Sequence, residues 1–155
     1  MAASIRVEVV CATGVVWEGD ATLVVARTTE GDIGIMAGHE PLLAALAPCA
    51  TQIEKAGGGR EIVLVDGGYI SVAGDEVSVL SQYARMARDL DPDAVARELE
   101  EAAKQVAEDE DDQARRRYRR AEARMAAIRL LEQIGGLEHV DHRVEATVEH
   151  LAEGE

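Results

Sequence analysis

The chain has 155 residues, a formal net charge of −14, 47% hydrophobic residues and 3% aromatic ones, with no Phe. That length suits one medium domain, or a small core domain carrying an appendage, and its core must be assembled from many small aliphatic contacts. The acidity argues against general nucleic-acid binding, because a phosphate backbone would repel it, and no apolar run approaches the roughly 18 to 20 residues of a membrane span.

The start, Met-Ala-Ala-Ser-Ile-Arg-Val, enters an alternating pattern at once, without a charged-then-apolar leader, so a cytosolic or peripheral protein is expected. Ile5, Val7 and Val9 alternate with Arg6 and Glu8, a period of two that sets one strand face against a core. Ala21 to Ala26 and Glu61 to Val65 are rich in β-branched residues. Ile70-Ser71-Val72 and Val77-Ser78-Val79 alternate again across Ala73-Gly74-Asp75-Glu76, a short hairpin signal. Gly57-Gly58-Gly59 and Gly67-Gly68 read as further punctuation. Short strands at regular turn spacing, with no helix between them, predict an antiparallel β-sandwich or flattened barrel over 1–86. Cys11 and Cys49 lie in apolar stretches without CxxC spacing and read as reduced, buried small hydrophobes.

Near Asp89 the period changes and charge density rises: Met1 to Arg88 holds 6 basic and 11 acidic residues, Asp89 to Glu155 holds 10 and 19. Asp91-Pro92-Asp93 is a helix start, with Asp91 able to cap free N–H groups and Pro92 fitting the first turn. Val95, Leu99, Ala102 and Val106 then form one helical stripe, with Glu98, Glu100 and Glu101 on the wet side. The acidic run Glu108 to Asp112 reads as the tip between two helices, and Tyr118, Ala121, Met125, Ile128 and Leu131 as the second stripe, ended by Gly135-Gly136. An antiparallel hairpin over 87–135 is expected, marginal when undocked because each stripe is thin and Ala-rich. Leu137, Val140, Val144, Val148 and Leu151 predict an extra C-terminal amphipathic segment over 136–155. The fold class expected is therefore α+β, a sandwich followed by a helical hairpin.

Four blocks, in order, carry a family resemblance. Glu30-Gly31-Asp32-Ile33-Gly34-Ile35-Met36-Ala37-Gly38-His39-Glu40-Pro41-Leu42-Leu43 resembles the signature of the epsilon subunit family of the bacterial F-type ATP synthase. Val65-Asp66-Gly67-Gly68-Tyr69-Ile70-Ser71-Val72 is similar to the family's Gly-Gly strand pair. Val77 to Ala84 and Asp89-Leu90-Asp91 resemble its closing strand and the start of its helical hairpin, all in family order over about residues 5 to 134. The resemblance implies a non-catalytic rotor subunit without a cofactor, peripheral on the cytoplasmic face of the cell membrane. Its sandwich would meet the gamma subunit and the ring of c subunits. Its hairpin would fold down on the sandwich, or rise toward the alpha and beta subunits and obstruct rotation in the hydrolysis direction.

Carried onto single residues, the resemblance places Asp32, Gly34 and His39 at the interface with gamma and the c ring. Read without it, Asp32 is a turn carboxylate, Gly31, Gly34 and Gly38 serve backbone geometry, and His39 is a hydrogen-bonded loop residue. Arg115, Arg116, Arg117, Arg119, Arg120 and Arg124 read as a basic face, solvated or, as the resemblance implies, meeting acidic surface on alpha and beta. Some family members bind ATP in the folded hairpin. Here Asp91, Arg120 and Arg124 match that pattern, but Ala94 and Val95 replace the motif's arginine and alanine. A nucleotide sensor is the alternative function, and an enzyme built on His39 a further one. His139, His142 and His150 lie among carboxylates without a cysteine, and no metal is expected there.

Overall fold

The computed structural model of the chain describes the backbone of residues 3–109 and 111–152, and side chains as far as Gly135 except at Glu110. Seven strands come first: β1 (Ile5–Cys11), β2 (Gly14–Thr28), β3 (Gly31–Ile35), β4 (Leu42–Lys55), β5 (Arg60–Ala73), β6 (Glu76–Leu80) and β7 (Ala84–Met86). Two helices follow, α1 (Pro92–Glu108) and α2 (Asp112–Ala152).

The sheet closes on itself. β1 pairs with β2 on one side and β6 on the other, completing a ring through β4 and β5, while β3 extends β2 and β7 pairs with β5. The expected antiparallel sandwich or barrel is present, with one pairing that departs from it: β1 and β6 run parallel, from Arg6 opposite Glu76 to Val10 opposite Leu80. Local alternation reports which residues share a face, not which distant strand lies alongside. Ile5, Val7, Val9, Val63, Val65, Ile70, Val72, Val77 and Val79 point inward and are buried. The Ala73–Glu76 turn is as the sequence predicts: Gly74 at φ 56 and Asp75 at φ 60 give the two left-handed residues of a type I′ hairpin.

Gly67-Gly68 does not end a strand. β5 runs through it, paired with β4 at constant register from Leu42 opposite Val72 to Glu54 opposite Arg60. What changes is the face. Val63 and Val65 are buried on one side of the glycines and Ile70 and Val72 on the other, so the inward parity switches from odd to even numbers. β4 switches with it, from Leu46 to Cys49, Thr51 and Ile53. Gly67 at φ 81 and Gly68 at φ 104 supply the backbone that only glycine adopts freely. This kink divides the outside of the ring into two fields, one covered by a helix and one open.

In the covered field Ile62 and Leu64 point out of the ring and are buried against Ala87, Ala123 and Ala127, with Ala50, Tyr83, Leu90, Leu130, Leu131 and Ile134 around them. Glu61 to Val65 therefore reads as a continuous apolar run because both of its faces are covered. α1 begins as expected, the Asp91 carboxylate accepting from the N–H groups of Asp93 and Ala94 with Pro92 in the first turn. It packs on α2 through Val95 and Ala102, both buried. α2 carries two buried stripes, Ala121 and Ile128 among the expected set and Ala123 with Ala127 toward the sheet. The end expected at Gly135-Gly136 is a correction: α2 continues to Ala152, so the segment from 136 that was read as separate is its extension. Gly135 does not take the positive φ that a glycine stop requires, and each helical Gly costs only about 1 kcal/mol, which the good helix formers around it can carry. The three histidines considered as ligands lie outside the described side chains. Cys49 is buried, as expected, whereas Cys11 is only half-buried, and both are free thiols.

Candidate functional site

The open field of the ring carries a row of apolar side chains contributed by five strands. Ala45 lies opposite Tyr69, Tyr69 opposite Leu80, Leu80 opposite Val10, and Val10 opposite Val15. Partners in register share a face, so these residues form one ribbon on the outside. Tyr69 is 58% exposed, Leu80 52%, Val15 55%, and Leu43 beside Ala45 is 74% exposed. A shallow groove of about 530 Å³ runs along the ribbon, lined by Val10, Tyr69, Leu80, Gly68 and Asp66. An acidic surface protein has no intrinsic reason to array these side chains in water, and a contiguous patch of this kind marks a contact surface. Sequence reading missed it because its members are scattered between positions 10 and 80.

A second group sits at the β3 side. Asp32 lies on β3 opposite Arg27 of β2. The Arg27 Nε–H donates to Asp32 Oδ1 at 2.8 Å, and that bond together with the guanidinium charge holds the Asp32 carboxyl below the usual carboxylate range. Gly34 lies two residues on, opposite Val25, and is exposed. His39 follows in the loop before β4, its Nδ1 2.7 Å from the backbone carbonyl of Glu40. The Gly38 N–H donates to Asp75 Oδ1 at 2.7 Å, tying this loop to the β5–β6 turn. Asp32 and Gly34 share the β3 edge, Asp32 lining a cleft with Arg119, Glu122 and Arg129 of α2, while His39 lies in the next loop, tied to the β5–β6 turn. His39 has the loop hydrogen bond expected of it, whereas Asp32 lies on a strand with its carboxylate on Arg27 rather than on turn N–H groups, and Gly34 takes no positive φ.

The arginines of α2 do not form one face. Arg116 and Arg119 are exposed, as is Arg115, while Arg117 donates to Gln105 of α1 at 3.2 Å. Arg120 and Arg124 turn inward. Arg120 Nε lies 3.1 Å from Asp66 Oδ1. Arg124 donates to Glu98 of α1 at 2.9 Å and lies over the Tyr83 ring, 5.4 Å from its centroid. The ATP pattern of Asp91, Arg120 and Arg124 is consequently spent inside the fold: the Asp91 carboxylate caps α1, and both guanidinia face carboxylates. The cleft between the helices near Arg124 is about 240 Å³ and is lined by Glu98 and Glu101 as well as Arg117 and Arg124, whose guanidinia already bond Gln105 and Glu98. Among the described residues no three His, Cys, Asp or Glu side chains group as a metal site.

A closed β platform with an open apolar ribbon and a docked helical arm has the features of an interaction module. Residues 4–87 match the β-sandwich domain of the ATP synthase delta/epsilon chain. The chain is 44% identical over 128 residues to the ATP synthase epsilon chain of Streptomyces griseus, covering 83% of this chain and 98% of that one. It is 42% identical over 107 residues to the epsilon chain of Cutibacterium acnes, covering 68% and 73%. A chain in the Euglena gracilis mitochondrial ATP synthase structure shares the fold, with TM-score 0.66 and 24% identity over 84% of this chain and 81% of that one. This chain belongs to the ATP synthase epsilon chain family. No described helix is long and apolar enough to cross a membrane.

Proposed function

We propose that this chain is the epsilon-type rotor subunit of a proton-transporting ATP synthase, without chemistry of its own, coupling rotation to synthesis and restraining hydrolysis through its helical arm. Alignment with the Streptomyces griseus epsilon chain over 98% of that protein's length is the observation that carries this reading. The open ribbon through Tyr69 and Leu80 suits a gamma subunit, and Asp32 and Gly34 on the β3 edge, with His39 in the loop after it, suit gamma and the ring of c subunits. That arrangement leaves the protein peripheral to the membrane, on the side where the catalytic head lies. In a raised position of the arm, Arg115, Arg116 and Arg119, joined by the released Arg120 and Arg124, would face acidic surface on alpha and beta. Guanidinium forks match carboxylates bidentately, which suits them to that duty.

Nucleotide sensing is the weaker reading, since the groups it needs are paired within the chain. Calorimetry of the full chain with ATP is expected to give no saturable heat. The main test is truncation after Arg88. The platform should still bind gamma in a pull-down, while ATP hydrolysis by the reconstituted complex rises. Hydrolysis unchanged by the truncation would remove the restraining role, and loss of gamma binding would remove the assignment of the ribbon.

A further inference from the structure

The hairpin is docked through one face of α2. Ala123 and Ala127 meet Ile62 and Leu64, with the partly buried Leu130, Leu131 and Ile134 beside them, and this non-directional apolar burial holds the helix without fixing it by a specific tie. Two polar contacts cross the same boundary, and the sequence places them as a matched pair. On α2, Arg120 and Arg124 are one turn apart and project from one face. On the platform, Asp66 and Tyr83 are brought together by the β5–β7 pairing, the Asp66 N–H donating to the Tyr83 carbonyl at 3.0 Å.

We propose that Arg120 on Asp66, assisted by Arg124 on Tyr83, forms an electrostatic latch that holds the hairpin down without nucleotide and is released by ionic strength or a competing cation. The inference rests on the rotor-subunit reading for its purpose, but its geometry stands alone. The Asp66 side chain is only 14% exposed. Its Oδ1 is buried and receives no hydrogen bond, so Arg120 at 3.1 Å is an ion pair without in-line alignment and supplies the counter-charge. Asp66 is mostly buried and Arg120 half-exposed, so the pair is better defined than one between two exposed side chains and is still open to screening by salt. Arg124 adds a three-way tie: Glu98 of α1 at 2.9 Å, its own helix, and the Tyr83 ring, over which Arg85 also lies at 5.4 Å from the centroid. Lifting the arm breaks both contacts together, so the two states are distinct rather than graded.

Hydrogen exchange of the full-length chain tests this, read at α2 amides from Arg120 to Ile134 and, as control, at core amides of β4 and β5. Asp66→Asn and Arg120→Gln are each expected to speed hairpin exchange roughly tenfold, and the double variant no further, because both remove one interaction. Raising NaCl should speed exchange in the native chain and have little effect in either variant. Additive effects of the two substitutions, or hairpin exchange indifferent to both and to salt, would overturn the latch. Should Asp66→Asn also loosen the platform core, Arg120→Gln and the salt series decide alone, since Arg120 lies half-exposed on the helix. These measurements need no other subunit, so they can fail while the assignment to the rotor survives, and the reverse.

Discussion

Ile62 and Val63 are neighbours on β5, both fully buried, yet they belong to two different structures. Val63 points into the ring, where Val65, Ile53, Val9 and Val79 meet in a core closed on all sides by strands. Ile62 points out, toward alanines of α2 and the half-buried Leu130, Leu131 and Ile134. Inside the ring each aliphatic is held by a ladder that fixes its position and by neighbours from several strands. Outside, one helix lies on one face, tied by a few charged contacts. The same residue types therefore build a stiff platform and a loosely committed arm, and the difference lies in how many directions each side chain is enclosed from. A two-position regulator needs that asymmetry, because opening free energies must differ strongly between the part that anchors and the part that moves.

The sharpest attack on the platform is at its kink. A Cβ on Gly68 would collide with the Leu80 carbonyl, and its φ of 104 is one L side chains rarely adopt. Gly68→Ala is expected to cost about 3 kcal/mol or more and to lower the melting of platform and arm together. A melting shift below about 4 °C would mean that β5 and β6 separate freely and the ring is not stiff. Next come paired truncations. Ile53→Ala, in the ring, should cost about 2 to 5 kcal/mol of global stability. Ile62→Ala should instead free the hairpin, with faster exchange in α2 and core amides of β4 little changed. In the chain cut after Arg88, Ile53→Ala keeps its full cost, whereas Ile62→Ala loses most of its own because the side chain is then solvent-exposed. Equal effects of the two in the cut chain would erase the distinction drawn between the faces of β5.

How much of this could be read beforehand follows the same divide. Where one face is buried and the other wet, alternation speaks clearly: Ile5, Val7 and Val9 gave their strand, and Gly74-Asp75 its turn. Where both faces are covered, as from Glu61 to Val65, period is lost and only β-branched enrichment remains. The parallel pairing of β1 with β6 and the parity switch at Gly67-Gly68 are properties of strands distant in sequence, which local pattern cannot report. On α2 the stripe legible in sequence mixes both contacts, Ala121 lying beside α1 and Leu131 on the sheet-side cluster. The sheet-facing Ala123 and Ala127 passed unnoticed because alanine is as common on wet faces. Among site residues, Asp32 was legible through its signature block, but its Arg27 partner needed the β2–β3 register. Arg120 and Arg124 read as part of a basic face, although their partners Asp66, Glu98 and Tyr83 lie up to 54 positions away (120 minus 66) and turn them inward.

A smaller effect separates arm from platform at their junction. Asp91→Ala removes the carboxylate that accepts from Asp93 and Ala94, and loss of such a cap costs about 1 kcal/mol. Exchange in the first turns of α1 should rise while the platform's melting stays put. A drop in the platform's own melting would show that the arm supports the ring, contrary to the division of labour argued above.

The smallest expected effect concerns the exposed pair at the β2–β3 edge, beside the cleft to α2. Arg27 and Asp32 are 63% and 65% exposed, so their bond steers a loop more than it stabilises the fold. The hydrogen bond from Arg27, and then its charge, lower the carboxyl's pKa in the folded state. A lowered folded value means that the pair's contribution is complete above the ordinary carboxylate pKa and is lost as pH falls through the folded one. Carboxyl-carbon NMR of Asp32 should therefore show a midpoint below that of a free aspartate. Arg27→Gln should move it upward, without a measurable change in the platform's melting. An unmoved midpoint would leave Asp32 held by the turn alone. A fall in melting would instead make this edge part of the stiff core, and its freedom to serve as a contact surface would have to be given up.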